Sequence, residues 1–122
     1  MFKVVWLLKR KEGMTHAEFR EHFENSHAPI ARKHIAHLFS EYRRNYPNET
    51  WSGGDPRKAG SNFGPKEWEY DCISEWIFPN EEAFNELNRI MAEPAVSQEF
   101  FEDEEKFLDR DGFVMIKCEV VE

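Results

Sequence analysis

The chain has 122 residues, and its 40% hydrophobic and 15% aromatic content supplies one compact core rather than two. Its 16 basic side chains stand against 24 acidic ones, and the net charge of -8 repels nucleic-acid phosphates and anionic lipid, which argues against both as partners. No apolar run nears the roughly 20 residues of a membrane helix and no secretory pattern opens the chain, so a cytosolic location is expected.

Met1 to Arg10 is apolar at both parities, with Phe2, Val4, Trp6 and Leu8 on one face and Val5 and Leu7 on the other, which predicts a strand covered on both sides. Gly13 ends it, and Thr15 followed by Glu18 is a capping box that opens a helix. Phe19, Phe23, His27, Ile30 and His34 then share one helical face, with a kink expected at Pro29. His37 to Tyr46 reads as an aromatic second strand. Residues 47–67 are rich in glycine and proline and predict a long loop, a candidate lid. Trp68 to Phe78 resumes strand character, and Pro79 to Glu82 caps a helix striped by Phe84, Leu87, Ile90 and Met91. A further helix after Pro94 carries Val96, Phe100, Phe101, Phe107 and Leu108, and Asp111-Gly112 turns into a last strand, Phe113 to Val121. Cys72 and Cys118 have no metal or redox spacing and are expected as free, buried thiols.

The order strand, helix, strand, strand, helix, strand predicts one α+β domain over residues 1–122, with a ferredoxin-like four-stranded antiparallel sheet and helices on one face. The strands are apolar on their other face too, so a second copy is the expected cover, giving a homodimer through the sheet and a dimeric α+β barrel.

Four segments, in order, resemble the EthD-domain family of that barrel superfamily: LLKRKEGMTHAEFREHFENSHAPIARK, YRRNYP, DCISEWIFPNEEAF and DEEKFLDRDG. The most specific piece is F-x-x-x-F-x-x-x-H-A-P at Phe19 to Pro29. The resemblance implies a pocket protein without a cofactor, among relatives similar to polyketide cyclases, dehydratases, decarboxylases, muconolactone isomerases and haem-degrading monooxygenases. Such a range supports the fold more than any one reaction.

Within that frame His27 is the leading candidate acid or base, since it shares a stripe with Phe19 and Phe23, and an imidazole titrates near neutrality. A histidine bonded to a backbone carbonyl is the plainer alternative, and the resemblance favours the catalytic one. Tyr42, Arg44 and Tyr46 fall on one face of the second strand and Arg43 and Asn45 on the other. The tyrosine face is the expected pocket wall, where a phenol donates to an enolate oxygen and Arg44 neutralises charge; Asn45 is the substrate contact if the other face lines it. Ordinary packing and surface pairing explain the same residues equally simply. Asp71 is a candidate base or a partner that orients His27, with a salt bridge to Arg43 or Arg44 as its structural explanation. Phe23 and Trp76 are expected as pocket walls, and Asp103, in an acidic run typical of a solvated helix face, is included only through the resemblance.

No metal site is expected, because His34 and His37 lack a third ligand, and neither a nucleophile elbow nor a phosphate loop is present. These readings predict a lyase or isomerase without a cofactor, which dehydrates, decarboxylates or cyclises a small aromatic or polyketide-like molecule by acid–base chemistry. The alternatives are an oxygen-using monooxygenase of the same fold, working on haem or an activated aromatic substrate, and a binding protein for a hydrophobic ligand.

Overall fold

In the computed structural model, which describes residues 1–122, the strands are β1 (Phe2–Leu8), β2 (Glu41–Asn45), β3 (Trp51–Ser52), β4 (Gly64–Pro65), β5 (Cys72–Phe78) and β6 (Val114–Glu119). The α-helices are α1 (His16–His22), α2 (Ala28–His34), α3 (Glu81–Met91) and α4 (Pro94–Phe107). The main sheet has the order β2-β5-β1-β6 with every pair antiparallel, the ferredoxin-like α+β arrangement. Alternation sends Val4 and Leu8, with Cys72, Ser74 and Phe78, into the layer beneath the helices, where all five are buried. There they pack against Phe19, Phe23, Ala28, Ala31 and Ile35 from the first helical stretch and Phe100 and Phe107 from α4.

Thr15 opens α1 with both bonds of its capping box: its Oγ accepts from the Glu18 amide at 3.1 Å, and its own amide donates to the Glu18 carboxylate at 2.9 Å. Asn80 caps α3 by accepting from the Ala83 amide. Between α1 and α2 the chain departs from the simple helical stripe. Phe23 to His27 form a π-turn, in which the Ala28 amide bonds to the carbonyl of Phe23, five residues back. Pro29 then starts α2 from its first turn, where a missing N–H costs nothing. The extra residue shifts the buried face, which runs Phe19, Phe23, Ala28, Ala31, Ile35; Ile30 and His34, expected on that stripe, are displaced to partial exposure.

The second strand is shorter than the aromatic run suggested. Ala36–Leu38 make a 3-10 turn and β2 begins only at Glu41, because Phe39 leaves the backbone ladder to stack its ring 5.4 Å from that of Trp76. The glycine- and proline-rich loop carries the small hairpin of β3 and β4. It leaves from β2, at the sheet edge opposite β6. The outer sheet face presents Val5, Leu7, Ile73, Val114 and Ile116, with Val114 and Ile116 about 40% exposed, and is crossed by the Lys3–Glu75 ion pair. Cys72 is a buried free thiol, whereas Cys118 lies half-buried on that outer face, because β6 is an edge strand with no helix or neighbour beyond it. No helix is long and apolar enough to cross a membrane.

Candidate active site

Between the sheet and the helices lies a chamber of about 150 Å³, lined mainly by aromatic and aliphatic side chains. Trp6 and Trp76 wall it from the sheet, their rings 5.0 Å apart and edge-on, while Phe23, Phe100 and Phe107 wall it from the helices. The polar groups on its lining are His27, Tyr42, Ser74, Glu104 and Arg110.

His27 stands at the last position of the π-turn, with only 13% of its side chain exposed. Its ring lies among Phe23, Phe100 and Phe107, with centroids 5.0 to 5.7 Å away. Its Nδ1 donates to Oδ2 of Asp103 at 2.9 Å, a partner 76 residues distant, since an ionised carboxylate can only accept. That bond sets the tautomer: the proton is on Nδ1, and Nε2, which no protein group hydrogen-bonds, carries the lone pair. Burial pulls the imidazole pKa below 6.5, with the Asp103 carboxylate pulling the other way, so the ring is neutral and basic at pH 7.

Asp103 lies buried on α4, not on a solvated helix face. Its Oδ1 accepts from Ser26 Oγ at 2.7 Å and His22 Nε2 at 3.0 Å, while Oδ2 is reserved for His27. Burial alone would raise its pKa; the bonds from Ser26 and His27 and the positive charge available on His22 and His27 outweigh that and hold it below the ordinary carboxylate range. A four-member network thus fixes one imidazole against the chamber, and the sequence reading missed two members of it, His22 and Ser26. Their spacing from His27, five and one residues, indicates no shared face in a regular helix; the π-turn brings the three onto one carboxylate.

Tyr42 lines the chamber from β2, and burial pushes its phenol up to about 12, so it remains a protonated donor. Arg44 and Tyr46, expected beside it, turn instead to Glu24. The guanidinium makes two bonds to that carboxylate, at 2.6 and 2.8 Å, and the Tyr46 hydroxyl a third at 2.5 Å. Neither lines the chamber, because Glu24 from the π-turn competes successfully for both. Asn45 faces the outer side and bonds to the Ile73 carbonyl and Glu75. Asp71 also lies elsewhere. It precedes β5, is buried, and accepts from the Arg10 amide at 2.8 Å, the Arg10 guanidinium at 2.6 Å and His16 Nδ1 at 2.9 Å. It neither orients His27 nor pairs with Arg43 or Arg44; it ties the end of β1 to the start of α1. Residues 47–67 contribute nothing to the chamber lining; Pro47 to Thr50 and Pro65 to Glu67 border a separate groove with Arg10, His16 and Asp71, so the expected lid does not cover the chamber. His34 pairs with Glu99, and no group of three or more histidine, cysteine, aspartate or glutamate side chains converges as a metal site would.

The family model of the EthD domain matches residues 11–111. The chain belongs to the EthD domain family. A conidial pigment biosynthesis dehydratase EthD from Metarhizium robertsii is 29% identical over 104 residues, a match covering 82% of this chain and 68% of that protein. Among solved structures, an EthD family protein from Bacillus halodurans superposes with a TM-score of 0.61 at 21% identity over 99% of both chains. An EthD-like protein from Ralstonia eutropha gives 0.61 at 16% identity, over 99% of this chain and 92% of its own. These likenesses establish the fold of this EthD chain, and the fungal relative gives it kinship with a dehydratase.

Proposed function

We propose that this EthD protein is a cofactor-independent dehydratase whose base is His27, acting on a small aromatic or polyketide-like β-hydroxy carbonyl compound. The observation that carries the reading is the pairing of a buried carboxylate behind Nδ1 with an unpartnered Nε2 on a ring that lines an apolar chamber. The likeness to a fungal dehydratase supports it.

In the reaction, Nε2 removes the proton next to the substrate carbonyl, and the electron pair of that C–H bond enters the enolate. Tyr42 donates to the enolate oxygen. The enolate pair then forms the new C=C bond as the C–O bond to the β-hydroxyl breaks, and the imidazolium returns its proton to the leaving oxygen, which departs as water. Asp103 stabilises the transient imidazolium without taking its proton, and apolar walls exclude bulk water from the enolate.

The test is anaerobic incubation of purified protein with a panel of β-hydroxy aryl ketones, following the conjugated enone by absorbance. His27→Ala lowers the rate by about 10² to 10⁴-fold, the usual contribution of a positioned base. Turnover that requires oxygen, or that survives the substitution, sinks the proposal; ligand binding without turnover in the wild type leaves only a carrier.

The outer sheet face, we infer, pairs with a second copy. Val114 and Ile116, about 40% exposed on one subunit, with the partly buried Val5, Leu7 and Ile73 beside them, are side chains that two sheets stacked face to face would cover.

A further inference from the structure

One ion pair on the chamber lining reaches the surface through its arginine, which is 41% exposed. Glu104 follows Phe100 by four residues on α4 and precedes Phe107 by three, so it interrupts the apolar stripe that lines the chamber. Its side chain is 17% exposed and pairs with Nη1 of Arg110, in the turn that leads to β6. Burial holds the Glu104 carboxyl above its ordinary range even though Arg110 pulls the other way, so the carboxylate is poorly accommodated where it lies. Arg110 is held independently of it. The guanidinium lies 4.8 Å from the ring centre of Phe101 and 5.6 Å from that of Phe113, both of which also line the chamber. The two rings hold the guanidinium beside the chamber, where its planar fork can meet an incoming carboxylate through two parallel bonds. Arg110 is the one lysine or arginine on a lining otherwise apolar apart from a histidine, two hydroxyls and Glu104 itself, in a chain of net charge -8.

We propose that the Glu104–Arg110 pair is an anion-selecting clasp: the molecule that enters the chamber is an aromatic acid whose carboxylate takes Arg110 and releases Glu104 to water. This deepens the dehydratase reading and rests on its assignment of the chamber as the substrate site. It makes the substrate a β-hydroxy carbonyl compound that also carries a carboxylate on its aromatic or polyketide frame. The enclosed glutamate acts as a placeholder, so substituting either partner of the pair shifts affinity in opposite directions.

The test is calorimetric titration of the full chain with 1-naphthoate and with its uncharged counterpart 1-naphthamide at pH 7.5. The wild type binds naphthoate about tenfold or more tighter than the amide, the worth of a charge-assisted bond. Arg110→Gln abolishes that preference while leaving amide affinity within about threefold, and Arg110→Lys keeps part of it, having the charge but not the fork. Glu104→Gln tightens naphthoate severalfold by removing its competitor and leaves the amide unchanged. Equal affinity for both probes in the wild type, binding of neither, a preference that persists in Arg110→Gln, or weaker naphthoate binding in Glu104→Gln each overturns the clasp. His27→Ala separates the two proposals, since it stops turnover while the carboxylate preference stays. Lost preference with His27-dependent turnover intact refutes the clasp alone, and intact preference with His27-independent turnover refutes the base alone.

Discussion

Replacing Asp103 by asparagine changes one atom's chemistry and almost none of its shape. Ser26 and His22 both donate to Oδ1 while His27 donates to Oδ2, so an asparagine that keeps its oxygen at the Oδ1 position satisfies two of the three donors. Its NH2 group then meets Nδ1 of His27, which has to accept instead of donate. The imidazole changes tautomer, and an N–H takes the place of the lone pair on Nε2. The loss of a usable base lowers turnover by about 10²-fold or more. Three bonds to an ionised group, each worth about 1.5 to 3 kcal/mol, become neutral bonds worth about 0.5 to 1.5, so the fold loses roughly 3 to 4.5 kcal/mol. For a domain of this length that lowers Tm by about 12 to 18 °C. Because the Asp103 carboxyl is held below 3.8, its contribution is complete above that pH and disappears as acid titrates the lower folded value, so wild type and variant converge in stability at strongly acid pH. Long-range proton–nitrogen correlation spectra read the His27 tautomer directly, and scanning calorimetry gives the Tm. An Asp103→Asn protein that keeps the proton on Nδ1 and turns over within twofold of the wild type would refute the tautomer argument.

Two further outcomes follow from groups elsewhere in the structure. Burial keeps the His27 pKa below 6.5, and the neutral ring is the base, so the acid limb of kcat/KM falls below pH 6.5 and stability is lost in the same direction, as acid charges a ring that is easier to protonate unfolded; a limb above pH 7 contradicts this. Ile116→Lys places a charge on the outer sheet face at its β6 edge, and sedimentation velocity then finds a monomer where the wild type sediments as a dimer, with the far-UV spectrum unchanged; two dimers, or two monomers, count against pairing through that face.

Much of the frame was legible because the patterns that specify it are local. The Thr15–Glu18 box, the Asn80 cap and the alternation in β1 and β5 each depend on neighbours within a few residues. His27 could be placed on an inward face for the same reason. Its partner could not, since Asp103 is 76 residues away and its acidic neighbours made it look solvated. Arg44 and Tyr46 show the converse: strand parity pointed them towards the helices, yet the choice between chamber and Glu24 was made by an ion pair between β2 and the π-turn that no periodicity records. Asp71 misled because a strand expected from Trp68 put an acid in a strand interior, where Asp is rare, whereas β5 begins at Cys72 and Asp71 binds Arg10 and His16 across the end of β1.

The π-turn at Phe23 to His27 has a consequence for how such a catalyst is lost or gained. It amounts to a single inserted amino acid, so deleting Asn25 would restore regular winding and re-index the preceding residues against the following ones by about 100°. Imidazole, hydroxyl and carboxylate would then part company with no reactive group altered. Scanning by substitution passes over this kind of information, which is written in the length of the chain; a one-codon deletion reads it at once.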